Sequence, residues 1–233
     1  MSMQEKRKQE EERRRKIRMR REWKEALWEM YLEGADYLQD KKEQVRQIGK
    51  QFFDDVSFLY EISPLIGSKG RGSEDARTGF LFGTGEDGMH FFRSGGDTVS
   101  LNAEEARTLT ADMTGLFEEI LPIGSIVDLK KEVLGKNMDV SQIENFRLAV
   151  VKRFMAKGER YYYPYGAAVY PVGNAGKGKL LSFTPALIEK VLFTGYSDET
   201  EEAFIFQMKQ ELIIRQHRMS AGFAEREEEE VYE

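Results

Sequence analysis

Cysteine is absent from this 233-residue chain, histidine occurs only twice and proline five times. Without thiols the chain forms no disulfide and offers no thiolate nucleophile. A zinc site would have to be assembled from His90, His217 and carboxylates, and the two histidines lack H-x-x-x-H spacing. No apolar run approaches the roughly 18 to 20 residues that span a bilayer. The charged N-terminus lacks the apolar stretch of a secretory signal, so a soluble, cytoplasmic protein is expected. A net charge of −6 and a pI near 5.3 argue against a general nucleic-acid binder. Catalytic patterns are scarce as well. There is no G-x-S-x-G elbow, and Asp54–Asp55 and Glu118–Glu119 are adjacent pairs on expected helices. Sequence neighbours on a helix point about 100° apart, so such pairs do not converge on one substrate. No catalytic residue, metal ligand or cofactor is expected, and the chain reads as a non-enzyme.

Charge is what the chain has in abundance: 33% of residues are Asp, Glu, Lys or Arg. Residues 4–62 contain no proline before Ser63 and are rich in good helix formers. Tyr31, Leu38, Val45, Phe52 and Leu59 recur every seven residues, and Leu27, Ile48 and Ile62 supply part of a second row. Gly34, Lys41 and Asp55 interrupt that row, so the segment predicts one amphipathic helix, or two broken near Gly34 or Gly49, and not a clean coiled coil. Such a stripe either packs on its own domain or pairs with another helical protein. If the rest of the chain leaves its N-terminal part uncovered, Trp23, Leu27, Trp28, Tyr31 and Leu38 are the expected partner-binding anchors. Self-association through the same stripe is the competing use. The cations Arg13, Arg14, Arg15, Lys16, Arg18, Arg20 and Arg21 interleave with Glu10, Glu11, Glu12 and Glu22, and four-residue spacings such as Glu12–Lys16 support a solvated helix.

Residues 63–75, "SPLIGSKGRGSED", read as a loop. "TGFLFG", "MHFFRS" and "DTVSL" follow as short strands, and Asn102 is placed to N-cap a helix that carries Glu104 and Glu105 in its first turn and stops at Pro122. Beyond it lie five strand-like segments: "GSIVDLKK", "FRLAVVKRFMA", "RYYYPYGAAVYPV", "KLLSFT" and "EKVLFTGY". Their expected core comprises Ile126, Val127, Leu129, Leu148, Val150, Val169, Leu181, Phe183, Val191 and Phe193. Asp198 and Glu201 have capping-box spacing ahead of a last helix with Ile205, Met208, Leu212 and Met219 on one face. The expectation is an α+β fold: a long N-terminal amphipathic helix or two, a small mixed unit, then a small antiparallel sheet or barrel closed by a C-terminal helix. The expected divisions are a helical arm at 1–62, a β-then-α unit at 63–120, a β-rich domain at 121–217 and an acidic tail at 218–233.

Gly173, Gly178 and Lys179 stand at the spacing of a phosphate loop, G-x-x-x-x-G-K. That loop needs a Ser or Thr after the lysine to hold magnesium and a helix aimed at the phosphate. Here Leu180 follows Lys179, and "LLSFTP" predicts a strand. Glycines in this position more simply supply a hairpin connection. Tyr161, Tyr162, Tyr163, Tyr165 and Tyr170 offer base-stacking surfaces, yet on a strand alternate ones serve as core or edge residues.

"LPIGSIVDLKK" at 121–131, "YYYPYGAAVYPVGNAGKGKLLSF" at 161–183 and "IEKVLFTGYSDETEEAF" at 188–204 resemble a bacterial domain-of-unknown-function family encoded beside type VII secretion genes and LXG toxins in Gram-positive bacteria. The resemblance covers about residues 117–210 and identifies the glycine loop with that family's variable turn after Y-P-x-G. The excursion at 132–145 and the residues before the domain depart from the family pattern. The resemblance implies a cytosolic accessory of type VII secretion: an adaptor or chaperone that holds a toxin or an Esx-like helical substrate, or guides it to the secretion ATPase. It carries over no catalytic residues. An immunity protein that plugs a cognate toxin, and a nucleic-acid-binding regulator using the basic arm, are the alternatives.

Calorimetric titration with ATP or GTP in the presence of magnesium is expected to show no binding. Micromolar affinity that Lys179→Ala abolishes would overturn the reading of the glycine loop.

Overall fold

The computed structural model describes residues 3–68, 70, 72–131, 146–173 and 180–224. The chain divides into two compact units, Met1–Glu118 and Glu119–Glu233. The first unit takes in the segment expected as a helical arm (1–62) and, up to Glu118, the one expected as a β-then-α unit (63–120).

In the first unit, α1 (Met3–Gly34) ends at the expected glycine, and a short 3-10 turn, Asp36–Lys41, leads into α2 (Lys42–Lys50) and α3 (Ser57–Ile62). The seven-residue row is real but does not form one stripe. Tyr31, Leu38, Val45, Phe52 and Leu59 are all buried, yet they sit on α1, the turn, α2, the segment after it and α3. Breaking the helix lets each piece turn its apolar residue inward, which a single straight helix in water cannot do. A four-stranded antiparallel sheet follows in the order β1 (Gly72–Asp75), β2 (Phe80–Thr84), β3 (His90–Ser94), β4 (Asp97–Leu101). Strands β2 to β4 are the expected ones. β1 lies inside the expected loop, because its sequence GSED is polar and, among the described residues, forms an edge paired only to β2.

The helix α4 (Ala103–Phe117) starts with a full capping box, Asn102 accepting from the Glu105 amide and Glu105 accepting from the Asn102 amide. It stops at Phe117, five residues before the expected break at Pro122; Glu118 turns to an extended ψ of 137° and accepts a 2.7 Å bond from the Tyr60 hydroxyl. From Leu109 to Phe117 every residue of α4 is buried. Thr110 and Thr114 solve the resulting problem of polar burial locally, each donating its hydroxyl to the carbonyl four residues earlier at 2.8 Å. Asp112 has no such local partner. It faces Tyr31, which hydrogen-bonds to it and lies 2.7 Å, hydroxyl to hydroxyl, from Tyr37. His90 is buried with both ring nitrogens used: Nε2 accepts from the Gly67 amide at 3.0 Å, which makes Nδ1 the donor to Thr84 Oγ1. Burial, with the Arg107 charge as a lesser cause, holds its pKa below the usual value, in keeping with this neutral, structural role.

The second unit is built on a sheet of order β10-β7-β6-β5-β9, with β8 also on β7. Its strands are β5 (Ile126–Leu129), β6 (Phe146–Lys157), β7 (Tyr161–Val169), β8 (Leu181–Phe183), β9 (Ile188–Phe193) and the short β10 (Met219–Ser220). All pairings are antiparallel except β10 with β7, and the sheet is open, not a closed barrel. α5 (Glu199–Lys209) continues as a π-helical stretch, Gln210–Arg215; Met219, expected on that helix, lies on β10. Of the expected core, Val127, Leu129, Leu148, Val150 and Phe183 are buried, while Ile126 and Leu181 are half-buried. Val169, Val191 and Phe193 are instead exposed, Phe193 by 60%. Among the described residues strand β9 pairs with β5 alone, through register shifts, so its alternation does not follow the buried face. Gly173 has φ 69° and donates to the Val169 carbonyl at 2.7 Å, as a turn glycine does, while Gly178 and Lys179 lie outside the described residues. The excursion at 132–145 and the tail from 225 on lie outside them too.

Burial pushes the Asp112 carboxyl up to about 7. The folded chain therefore holds a proton there that the unfolded chain releases near pH 4, and this group's contribution to stability falls as pH rises from about 4 to about 7. Asp112→Asn is expected to raise the urea midpoint relative to the wild type at pH 8 and to change it far less at pH 5. An equal effect at both pH values would show that Asp112 is ionised throughout.

Candidate interaction site

The anchors expected from the sequence lie in the first unit, and most are covered. Leu27, Trp28, Tyr31 and Leu38 are buried, and Trp23 is half-buried. Trp28 stacks on Tyr31 at 5.3 Å, meets the edge of Phe117 at 5.3 Å, and donates its indole N–H to the Arg46 carbonyl at 3.2 Å. Its ring lies so close to Gly49 that a Cβ there would overlap it. The physical reason is the helix break at Gly34, which folds α2 back over the stripe. The basic stretch of α1 is solvent-exposed and laced by Arg14–Glu10 and Lys16–Glu12 pairs, as its spacing predicts.

An apolar surface emerges in the second unit instead. A cleft of about 630 Å³ is lined by Ile123, Val151, Tyr196 and Phe204 together with Lys152, Arg153, Asp198, Thr200 and Glu201. The four apolar residues are 52%, 40%, 81% and 42% exposed, far more than a core would leave. Each is placed by a specific local device. In β6, Val150 opposes Ala167 and Lys152 opposes Gly166, so Val151 is the extra residue of a bulge and escapes the sheet's alternation. Ile123 sits in a turn tied at both ends: the Leu121 amide donates to the Tyr165 hydroxyl at 2.8 Å and the Gly124 amide to the Val150 carbonyl at 2.9 Å. Ser125, fully buried, donates its hydroxyl to the Pro122 carbonyl at 2.7 Å and accepts the Gly195 amide at 3.0 Å. Gly195 lies so close to the Ile123 carbonyl that no side chain fits there. The segments LPIGS and GYSDE, about seventy residues apart, are thereby clamped together, and the clamp presents Ile123 and Tyr196 side by side.

Among the described residues, the carboxylates of the polar floor are paired within it. Asp198 N-caps α5, accepting from the Glu201 amide at 2.9 Å. The reciprocal half of the expected capping box is not made by Glu201, whose carboxylate is gripped by both terminal nitrogens of Arg153. The Arg153 side chain is only 4% exposed and Glu201 19%, and the guanidinium lies 5.2 Å over the Phe204 ring. Nε of Arg153 is buried and meets no acceptor among the described residues. Among the described residues no cluster of His, Asp and Glu has metal-ligand geometry, and no helix is long and apolar enough to cross a membrane. The bulge at Val151 and the pairing of Arg153 with Glu201 have no periodic signature in the sequence. The one signal that pointed here was the set of motifs, two of which supply the clamp.

Residues 120–204 match the family described as Domain of unknown function (DUF4176). The matched segment begins at the LPIGS turn and ends at Phe204, and so contains every lining residue of the cleft. No curated protein and no solved structure matches the chain.

Removing one partner of a buried ion pair strands the other charge, at a cost of about 3 kcal/mol. Glu201→Leu is expected to destabilise the second unit by about that much in urea unfolding, and Arg153→Leu/Glu201→Leu to recover most of the loss. A double variant no more stable than Glu201→Leu would mean that the pair itself is not what the fold requires.

Proposed function

We propose that this chain is a non-catalytic adaptor or chaperone of type VII secretion, which holds a toxin or Esx-like helical substrate before export. The reading rests on the likeness of residues 120–204 to a domain family and on one observation: the cleft leaves Ile123, Val151, Tyr196 and Phe204 together in solvent on a pre-formed, clamped frame. Contiguous exposed apolar surface rimmed by polar groups is the mark of a protein-binding site. Helical partners are recognised by inserting apolar side chains into such grooves. The docking surface is the cleft of the second unit, since the stripe of the first unit is spent on its own core. Tyr196, the most exposed of the four and held by the Ser125–Gly195 clamp, is the natural anchor.

Co-purification from the native host tests this. The wild type is expected to retain a helical secretion substrate, and Tyr196→Asp to lose it by about tenfold or more, as truncation of an interface anchor does, while melting as the wild type does. Retention of that partner at wild-type levels by Tyr196→Asp would remove the cleft as the docking surface. Recovery of a toxin's catalytic domain alone would favour neutralisation of a toxin over escort.

A further inference from the structure

Arg153 carries one of the two buried side-chain atoms left without a partner among the described residues of the second unit, the other being Ser220 Oγ, and it is the one beside the cleft. Its side chain is buried, two of its nitrogens are committed to Glu201, and Nε has no acceptor among the described residues. An orphaned buried N–H is a standing cost, and natural folds rarely leave one without a purpose. Beside it in the cleft stands Lys152, an exposed cation for which no ion pair is seen among the described residues. Both carboxylates that line the cleft are already engaged, Asp198 with the α5 amide and Glu201 with Arg153. The first turn of α5 also faces this end of the cleft, through Asp198, Thr200 and Glu201, but its N-terminal charge is already met by Asp198, Glu199, Glu201 and Glu202, so the attraction for a further anion comes from Lys152 and Arg153. The other walls are apolar.

We propose that the cleft binds a carboxylate carried next to an apolar side chain, namely a chain terminus ending in leucine or phenylalanine on the partner. The carboxylate pairs with Lys152 and takes the Nε–H of Arg153. Phe204, stacked on the guanidinium yet 42% exposed, rotates to admit it, and the neighbouring apolar side chain rests against Ile123, Val151 and Tyr196. Arg153 then bridges two carboxylates, the Glu201 carboxylate on its terminal nitrogens and the incoming one on the side edge of the fork, which its five donors permit. This rests on the cleft being the docking surface, and it names the chemistry of the segment that docks.

The test is an NMR titration of the isotope-labelled full chain, following the Nε–H resonance of Arg153, assigned by its loss in Arg153→Lys. The probes are N-acetyl-leucine, which carries the carboxylate, and N-acetyl-leucinamide, which does not. The acid is expected to move the resonance saturably and the amide to leave it in place. Lys152→Gln is expected to weaken the acid by about threefold, the scale of one exposed charge pair. No response to the acid, an equal response to the amide, or unchanged affinity in Lys152→Gln would overturn the proposal. A saturable acid response in a chain whose Tyr196→Asp variant keeps its secretion partner would leave the carboxylate site standing and remove the adaptor reading. Loss of the partner in Tyr196→Asp with no acid response would do the reverse.

Discussion

Ser125 gives its hydroxyl proton to the Pro122 carbonyl and, with the same oxygen, takes the amide proton of Gly195. The hydroxyl is fully buried, so both bonds replace solvation that the folded chain cannot recover elsewhere. The placement of Ile123, of Tyr196 and of the start of α5 hangs on this pair of bonds. They fix the turn that carries Ile123, and they fix the stretch from Gly195 to Asp198 that carries Tyr196 and begins α5. Gly195 is required because the two strands of the clamp approach closer than any Cβ allows. Only with α5 started at that point does Glu201 reach Arg153 on β6 and Phe204 lie over the guanidinium.

The first unit solves a different problem. Its sequence is so highly charged that apolar residues must be used sparingly, and large aromatics do much of the filling. Phe80 sits edge-on to Phe52, Phe58 and Phe92, while Phe117 joins Trp28 to Phe53. Rings buried this way contribute more per residue than aliphatic side chains, and their T-shaped contacts add specificity. The arrangement allows the end of α1 and three short helical pieces after it to be held where one unbroken helix would have left its stripe in water.

Much of this was legible in the amino-acid sequence, and the exceptions share a cause. Strands β2 to β4 and β5 to β9, the break at Gly34, and the caps at Asn102 and Asp198 all follow from local signals, namely alternation, glycine and side-chain oxygens placed ahead of helices. The burial of Trp28 and Tyr31 was not legible, because the same seven-residue spacing serves a helix that docks a partner and a helix that breaks and covers itself. Phe193 was misplaced because alternation assigns a face only where the register is regular, and β9 meets β5 through two shifts. The cleft was legible only as motifs without a geometry. A bulge at Val151, a hydroxyl bridging two distant turns and an arginine satisfied on two of its three nitrogens are all products of tertiary contact. None of them repeats with a period.

Strand β9 closes one side of the six-stranded sheet with Val191, Leu192 and Phe193 in solvent, a combination that invites edge-to-edge aggregation. Its sequence answers part of that hazard. Two copies pairing antiparallel about a two-fold axis must keep their faces aligned, so the axis has to pass through a residue and its own counterpart. Centred on Glu189 or on Lys190, the pairing sets like charges directly opposite each other, which is repulsive. Centred on Val191, it lays Lys190 against Leu192 and Glu189 against Phe193, burying charge against hydrocarbon. Centred on Leu192, the pairing instead sets Val191 against Phe193, so the two charged residues act as gatekeepers for the first half of the strand and leave its apolar end the register that remains open to a second copy.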